Sequence, residues 1–289
     1  MRKLLVSVGG AVGILLAWIA AAQPQSAASP EPLRFAVIGD NGNGGKPQYE
    51  VGEQMAAALP GFPYELVLMV GDNLYGRQER QDFIDKFERP YAAILGAGIP
   101  FFAALGNHDR PSNRDYSGFN MGGERYYTFA RSQARFFILD TNLMDGAQLT
   151  WIDEALERAD EPWKIVYFHH PIYSDGDRHG SNVEMRVLLE PLLVRHGVTV
   201  VFSGHEHIYE RTTPQKGITY FIEGSSGQLR KGGITPSTLT AASFADDRTF
   251  MLVEITGDQL FFETISRTGR SVDSGVIQRT PDASARSSP

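Results

Sequence analysis

Val70-Gly71-Asp72-Asn73-Leu74-Tyr75-Gly76 continues a short apolar block, Leu66 to Val70, and places a carboxylate and a phenol three residues apart. Turn residues bound the apolar block, which predicts a buried parallel strand. In open α/β sheets the ligand crevice lies outside the carboxyl ends of the strands, so Asp72 is expected where chemistry usually takes place. A carboxylate can bridge two cations, and a tyrosinate is a hard oxygen ligand. On its own the stretch also fits an ordinary strand-to-turn junction, so a metal site is predicted only if other strands end in the same way.

Four more predicted strands end in polar side chains of the kinds that bind metals. They are Leu33–Ile38 with Asp40 following, Ile99–Leu105 with Asn107 and His108, Trp163–Phe168 with His169 and His170, and Val198–Phe202 with His205, Glu206 and His207. Five of the seven histidines lie at these junctions, and only His179 and His196 lie elsewhere. A single histidine is more often a surface or core residue than a ligand, but the repeated position favours one shared site. Its nitrogen and oxygen donors, without thiolate, suit Fe, Mn or Zn.

Helical and extended stretches alternate along the chain. Helices are predicted over residues 47–59, 77–95 and 146–159, and from an Asn182 cap to about His196. Pro90 is expected to interrupt the second helix and Pro191 to kink the last. The order strand, helix, strand over residues 33–70 implies a right-handed parallel crossover. Four extended stretches follow between residues 218 and 277, and no internal repeat or shift in composition marks a second domain.

The two ends of the chain differ in composition from the rest. Residues 1–22 have a basic start, an apolar middle and a small-residue end, which predicts a cleaved secretory signal peptide. An uncleaved anchor is the alternative, because the apolar part approaches the length that spans a bilayer. Residues 23–32 are rich in Pro, Ser and Ala and predict a linker, and residues 280–289 predict a disordered tail. The folded domain is therefore expected over residues 33–279.

The charge of the chain bears on its partners. Lys and Arg number 27 against 34 Asp and Glu, and removal of Arg2 and Lys3 with the signal changes the net charge from −7 to −9. An acidic exported protein is a poor binder of nucleic acid or of anionic membranes, so neither is expected as a partner. The chain has no Cys, so the fold uses no disulfides although its compartment would permit them.

The five strand-end blocks, in their order, resemble those of the metallophosphoesterase (calcineurin-like) superfamily. Gly42, where other branches carry a His, and Tyr75 after the bridging Asp72 are similar to the purple acid phosphatase branch. The resemblance extends from about Leu33 to Ile277. It implies the small single-domain form, without the plant-type N-terminal β-domain. The implied fold is α/β, a four-layer αββα sandwich of two mixed β-sheets with helices outside and a dimetal site at the carboxyl ends of the strands.

The same resemblance implies two metal ions as cofactors, Fe(III) plus Fe, Zn or Mn. The ligands implied for Fe(III) are Asp40, Tyr75, His207 and the bridging Asp72. Those implied for the second ion are Asp72, Asn107, His169 and His205. The phenolate supports this assignment from the residues alone, because it stabilises a trivalent ion better than a second imidazole would.

Residues beside these ligands are expected to handle the substrate. By resemblance His108 contacts the phosphate, together with Asn107, and protonates the leaving oxygen. His179 lies where small relatives place a second acid histidine, with a solvated His as the alternative. His170 is a third candidate contact or orients the His-Pro turn. Arg110 stands where some relatives carry a second histidine, and either grips phosphate or faces solvent.

The resemblance also sets expectations about function. The resemblance implies hydrolysis of a small phosphate monoester by attack of a metal-bound hydroxide, in an exported protein that is periplasmic or extracellular and of undetermined oligomeric state. A phosphodiesterase or nucleotide hydrolase on the same scaffold is the alternative, and a non-catalytic phosphate-binding module is a more distant one.

Glu206 is expected to point away from the metals, and the 224–230 loop is either a plain turn or part of the active-site rim.

Overall fold

The computed structural model of the protein describes residues 31–279. The signal peptide, nearly all of the linker and the tail predicted from the sequence lie outside the described residues. No helix within residues 31–279 is both long enough and apolar enough to cross a bilayer.

Thirteen strands form the two sheets of the described chain. In chain order they are β1 (Leu33–Ile38), β2 (Leu66–Met69), β3 (Phe101–Ala103), β4 (Tyr127–Arg131), β5 (Ala134–Ile138), β6 (Trp163–Tyr167), β7 (Val200–Ser203), β8 (Tyr209–Thr212), β9 (Thr219–Glu223), β10 (Thr240–Phe244), β11 (Thr249–Thr256), β12 (Gln259–Ser266) and β13 (Ser271–Gln278). One sheet has the order β13-β12-β11-β1-β2-β3, and the other has the order β10-β8-β9-β7-β6-β5-β4. Strands β1, β2 and β3 pair in parallel, as do β5, β6, β7 and β9, while the remaining pairs are antiparallel. Both sheets are therefore mixed, as predicted.

Within residues 31–279, five α-helices and a π-helical turn lie between the strands. They are α1 (Lys46–Ala58), α2 (Arg80–Phe83), the π-helical turn Ile84–Glu88, α3 (Ala92–Gly96), α4 (Gly146–Glu157) and α5 (Val183–Arg195). The side chain of Asn182 accepts a hydrogen bond from the Met185 N–H and caps α5 as predicted, while Pro191 lies inside that helix. The helix predicted over residues 77–95 is interrupted near Pro90, as expected: α2 runs directly into the π-helical turn, which ends at Glu88, and α3 begins at Ala92.

Three layers of buried side chains hold the sandwich together. The central layer packs one face of each sheet against the other, with Phe35 in edge-to-face contact with Phe136 and Phe202. A second layer lies between α1, α3 and the six-stranded sheet, and a third between α4, α5 and the seven-stranded sheet. The order helix, sheet, sheet, helix confirms the predicted αββα sandwich. Since β1, β2, β6 and β7 lie inside their sheets, their carboxyl ends are fixed on both sides by neighbouring strands.

Candidate metal centre

The loops that follow β1, β2, β6 and β7 are hydrogen-bonded to their neighbours within each sheet, and the His205 N–H of one sheet donates to the Asp40 carboxylate of the other at 2.8 Å. The Asp40 N–H donates to the Gly71 carbonyl at 2.9 Å, and the Gly204 N–H donates to the His169 carbonyl at 2.9 Å. Asp40, Asp72 and His205 adopt left-handed backbone conformations with φ of 50°, 51° and 70°. Such conformations cost about 1–3 kcal/mol each in non-glycine residues and persist where the surroundings impose them. The strained turns aim these side chains at a common point.

Asp40, Asp72 and His207 form the first group of candidate ligands. One ligand atom of each lies within 4.8 Å of the others. The Tyr75 hydroxyl lies among them, 2.9 Å from Asp72 Oδ2, 3.2 Å from Asp40 Oδ1 and 3.3 Å from His207 Nε2. Both carboxylates are buried and Tyr75 is half-buried. This is the set that the sequence predicts for the trivalent ion.

The second group lies against the first through Asp72. His169 Nε2 is 3.1 Å from Asn107 Oδ1, 3.4 Å from Asp72 Oδ1 and 3.2 Å from His205 Nδ1. His169, His170 and His205 also offer ligand atoms within 4.8 Å of one another. The structure thus brings together the four residues predicted for the second ion. It also places His170 beside them, a residue predicted from the sequence either to contact the substrate or to orient the His-Pro turn.

Hydrogen bonds outside the ligand atoms orient these side chains. His169 Nδ1 lies 3.0 Å from the Val70 carbonyl, which fixes the proton on Nδ1 and leaves Nε2 free to bind a cation. The His205 N–H donates to Asp40 Oδ2, and the His108 N–H donates to Asp72 Oδ1, each at 2.8 Å. The other oxygen of each carboxylate, Asp40 Oδ1 and Asp72 Oδ2, faces Tyr75.

Burial controls the protonation of the cluster. It raises the pKa of Asp40 above its usual value, with repulsion from Asp72 adding to the effect. It also raises the pKa of the Tyr75 hydroxyl. It lowers the pKa of His205 to about 2 and that of His207 to about 4. In the absence of a cation the site therefore holds neutral imidazoles and a protonated phenol, so binding at Tyr75 must release a proton.

The donor set fits a pair of cations. Within residues 31–279, histidines are the only cationic partners of Asp40 and Asp72, with His207 at 3.3 Å from Asp40 and His169 at 3.4 Å from Asp72. Because burial keeps these imidazoles neutral, no positive charge of the described residues offsets ionisation of the two buried acids. Hard oxygen donors and imidazoles around a shared carboxylate suit two transition-metal ions.

Comparison with known proteins assigns this arrangement to a family. Residues 33–209, which include all seven candidate ligands, match the calcineurin-like phosphoesterase family. The chain belongs to the calcineurin-like phosphoesterase family. The expected fold family and the expectation of a metal-dependent phosphoric ester hydrolase are thereby confirmed, as is a dimetal site in general.

Individual relatives place this calcineurin-like phosphoesterase near acid phosphatases. It is 23% identical to tartrate-resistant acid phosphatase type 5 of mouse (Mus musculus), over 93% of this chain and 97% of the mouse protein. The purple acid phosphatase PPD1 of yellow lupin (Lupinus luteus) has the same fold, with a TM-score of 0.70, 20% identity and coverage of 86% of this chain and 54% of the lupin chain. GAP50, the anchor in the inner membrane complex of Plasmodium, aligns with a TM-score of 0.77 and 18% identity over 87% of this chain and 90% of its own. One protein with this fold is described as an anchor and another as a phosphatase, so the fold alone does not decide activity. The argument for activity rests on the candidate metal ligands.

The substrate-side candidates of the phosphoesterase surround the mouth of the site. His108 is exposed, and its ring centroid lies 4.6 Å from that of Tyr75. The His179 ring lies 4.0 Å from that of His205. His170 lies 4.4 Å from His205 between ring centroids, and its Nδ1 is 2.9 Å from the Thr141 hydroxyl, which orients the ring. Arg110 is exposed beside the site, and its N–H donates to the Gln78 side chain at 2.8 Å.

Three supporting residues were not predicted from the sequence. Asp109 accepts hydrogen bonds from the backbone N–H groups of Asn73 and Leu74 at 3.0 Å, so it ties the loop after β3 to the loop that carries Tyr75. Burial raises the pKa of Asp109 to about 7. Thr141 holds His170. Arg230 pairs at 2.9 Å with the buried Glu206.

Glu206 and the 224–230 loop lie behind the ligands of the phosphoesterase. The Glu206 carboxylate accepts hydrogen bonds from the N–H groups of His179 and Gly180, the latter at 2.8 Å. It therefore faces away from the cluster, toward the loop that carries His179. The 224–230 loop is more than a plain turn, because the Gln228 N–H donates to the Asp40 carbonyl at 2.9 Å and the Ser226 hydroxyl accepts from Gly39 at 3.2 Å.

Proposed function

We propose that this phosphoesterase is an exported, purple acid phosphatase-like hydrolase of small phosphate monoesters. In this proposal Asp40, Tyr75, His207 and Asp72 hold Fe(III), and Asp72, Asn107, His169 and His205 hold Fe, Zn or Mn. The observation that carries it is the Tyr75 hydroxyl within 3.3 Å of Asp40, Asp72 and His207. A phenol among carboxylates favours a trivalent ion over a divalent one.

The bound ions would supply Lewis acidity and a water of lowered pKa. The residues of the chain bind and orient the phosphate and move the proton. Asn107 and His108 face the substrate from the loop after β3, where the Asp72 carboxylate fixes the His108 backbone. His108 donates a proton to the leaving oxygen, which its exposure at the mouth permits. His179 and His170, whose rings lie against that of His205, contact the phosphate there, and Arg110 attracts the anion from the rim.

The expected colour of the protein tests the metal assignment. Protein loaded with Fe(III) and Zn should absorb visible light through charge transfer from the Tyr75 phenolate, and Tyr75→Phe should abolish that absorption while metal analysis still finds two ions. The variant Tyr49→Phe is the control, because Tyr49 lies on α1 and its hydroxyl donates to the Asp85 carbonyl of the π-helical turn. A colourless wild-type protein with full hydrolytic activity would refute the Fe(III)–tyrosinate assignment and leave the family assignment intact.

The substrate class is tested with two chromogenic substrates. We expect p-nitrophenyl phosphate to be hydrolysed with a kcat/KM at least about tenfold above that of bis(p-nitrophenyl) phosphate. The reverse preference would favour a phosphodiesterase. Absence of hydrolysis of either, with both ions bound, would favour a phosphate-binding module.

The domain limits and the export of the chain are proposals as well. We infer cleavage after Ala22, a linker to Pro32, a phosphoesterase domain over residues 33–279 and a disordered tail after it. Intact-mass analysis of protein from the culture supernatant or the periplasm should find a chain that begins at Gln23. A retained N terminus in the membrane fraction would indicate the uncleaved anchor instead.

A further inference from the structure

A cavity of about 400 Å³ lies beside the candidate metal centre. Its wall includes Asn107, one of the candidate ligands, and continues along the loop after β3 to Arg114 and across to the loop after β5. Leu105, Pro111 and Leu143 supply an apolar part of the lining. A substrate whose phosphate reaches Asn107 would therefore place its leaving group in or near this cavity.

Most charges around the cavity already have partners. Arg125 lies 3.5 Å from Asp140 and also pairs with Asp145. Asp109 is occupied by the backbone N–H groups of the β2 loop and by that of Gly106 at 2.9 Å. The Asp140 carboxylate in addition accepts from Asn142 at 3.0 Å. Both acids are thus engaged by other groups, and neither forms an ion pair with Arg114.

Arg114 differs from these residues. Within residues 31–279 it has no ion pair, and its buried Nε has no hydrogen-bond partner. An unsatisfied buried donor costs about 1–3 kcal/mol, and more when the group is charged, so such a group calls for an explanation. Arg114 therefore presents an unneutralised positive charge at the cavity wall.

The position of Arg114 is fixed by its neighbours. It lies in a 3-10 turn, Pro111–Asp115, in which the Asn113 side chain donates to Gln78 at 2.9 Å. The Arg114 carbonyl accepts from the Gly123 N–H at 3.1 Å. Because the backbone is held at both points, binding of an anion would not require the turn to be ordered first.

We propose that this cavity is a leaving-group subsite in which Arg114 binds a second anionic group of the substrate. The preferred substrates are then small phosphate esters whose leaving group carries a carboxylate or another phosphate. The inference deepens the proposed function and rests on it for the position of the reacting phosphate. Arginine suits the role because its planar guanidinium offers paired N–H donors to either group.

Binding of non-hydrolysable probes tests the subsite independently of catalysis. Calorimetric titrations of the metal-loaded protein would use methylphosphonate, phosphonoacetate and methylenediphosphonate. We expect at least one of the last two to bind about tenfold more tightly than methylphosphonate, as one charged hydrogen bond allows. Arg114→Met should remove that advantage and change methylphosphonate binding less than about twofold. Whichever of the two probes loses affinity identifies a carboxylate or a phosphate as the second group.

Two further variants make the result decisive. Arg158→Met removes an exposed arginine at the end of α4 whose one ion pair within residues 31–279 is with Glu154, and it should behave as wild type. Arg114→Lys should retain part of the advantage, because it keeps the charge without the paired donors. The subsite is refuted if wild type shows no preference among the probes, if Arg114→Met keeps the wild-type preference, or if Arg114→Met weakens all three equally. Hydrolysis assays on the same proteins are read separately, so an inactive protein that shows the Arg114-dependent preference would refute the proposed activity and not the subsite.

Discussion

At the level of single residues, His108 has the most direct link to chemistry. Its backbone is fixed by Asp72, while its ring is exposed beside Tyr75. Loss of a positioned general acid lowers rates by about 10²–10⁴. We therefore expect His108→Ala to lower kcat for p-nitrophenyl phosphate within that range, with two metal ions still bound by elemental analysis.

His196→Ala is the matched control for His108→Ala, because His196 lies away from the site and pairs with Asp153 at 2.6 Å. It should keep kcat within about twofold, as is usual for substitutions away from functional groups. If His108→Ala retains wild-type kcat, the acid has been misassigned. If it loses metal, His108 acts on the ligands rather than on the leaving group.

Glu206 illustrates a residue that acts through another. Its carboxylate binds the N–H groups of His179 and Gly180 and pairs with Arg230, so it holds the 176–180 loop over His205. Charge-assisted hydrogen bonds of this kind contribute about 1.5–3 kcal/mol each. Glu206→Gln should therefore lower kcat about tenfold or more by releasing His179, with a smaller effect on KM.

A double-mutant cycle separates positioning from a general structural effect. If Glu206 acts by placing His179, then Glu206→Gln should add little to the loss caused by His179→Ala. Glu154→Gln, an exposed acid on α4, should leave both parameters unchanged. If the kcat losses of the two single variants multiply in the double variant, Glu206 does not act by positioning His179.

The seven candidate ligands were accessible from the sequence because each follows an apolar block that reads as a strand. Asp109, Thr141 and Arg230 were not, although they hold the ligands or the loops beside them. Their partners come from other loops, as with Asp109 and the Leu74 N–H. Such pairings depend on how the two sheets are packed, and no local pattern in one sequence reports them.

At the level of elements, the loop after β1 owes its path to Gly42. A Cβ on Gly42 would overlap the Asn73 carbonyl, and the Gly42 carbonyl accepts from the Tyr75 N–H at 2.9 Å. Gly42→Ala should therefore separate the loops that carry Asp40 and Tyr75. Overpacking of this kind costs about 1–3 kcal/mol. We expect a lower unfolding temperature and weaker binding of the first metal, measured by calorimetry and metal titration.

Gly96→Ala is the control for Gly42→Ala. Gly96 ends α3, and no atom lies within 4 Å of the position its Cβ would occupy. Alanine is also the better helix former, so this variant should match or exceed wild-type stability. A Gly42→Ala protein with normal metal binding would show that the two loops can move apart without consequence.

Some strands could be predicted from the sequence and others could not. Strands β1, β2, β6 and β7 were recognised from apolar runs, but β8 and β10 were not, because Tyr209–Thr212 and Thr240–Phe244 mix polar and apolar residues without clear alternation. The polar Glu210 of β8 is buried and bonds Thr240 of β10 at 2.7 Å. Because acidic residues are usually exposed, a buried acid such as Glu210 within a strand makes its sequence resemble that of a loop.

At the level of the whole molecule, the candidate site joins the two sheets. The six-stranded sheet supplies Asp40, Asp72, Tyr75 and Asn107, and the seven-stranded sheet supplies the three histidines. Ligands that bind only the folded state stabilise it, by about 2.7 kcal/mol at a hundredfold excess over Kd. Chelation should therefore lower the unfolding temperature by about 5–10 °C for a domain of this size. Scanning calorimetry before and after chelation, with zinc added back, measures the effect. An unchanged unfolding temperature would mean that the two sheets are not linked through metal.

Glu223, at the end of β9, makes global stability depend on pH. Burial raises the pKa of this carboxyl to about 8, and its Oε2 has no hydrogen-bond partner. An unfolded glutamate titrates near about 4.3, so the folded state holds the extra proton between these values. Stability attributable to Glu223 is therefore complete below about pH 4 and falls as pH rises through about 8.

The neutral variant Glu223→Gln should lack this dependence. In one metal-loaded buffer series, the wild-type unfolding temperature should fall more steeply than that of Glu223→Gln between pH 6 and 9, because only the wild type must also ionise the buried Glu223 carboxyl. Glu53→Gln, an exposed glutamate on α1, should follow the wild-type curve. Parallel curves for wild type and Glu223→Gln would show that the carboxyl ionises without cost, which would require water or a cation to reach Oε2.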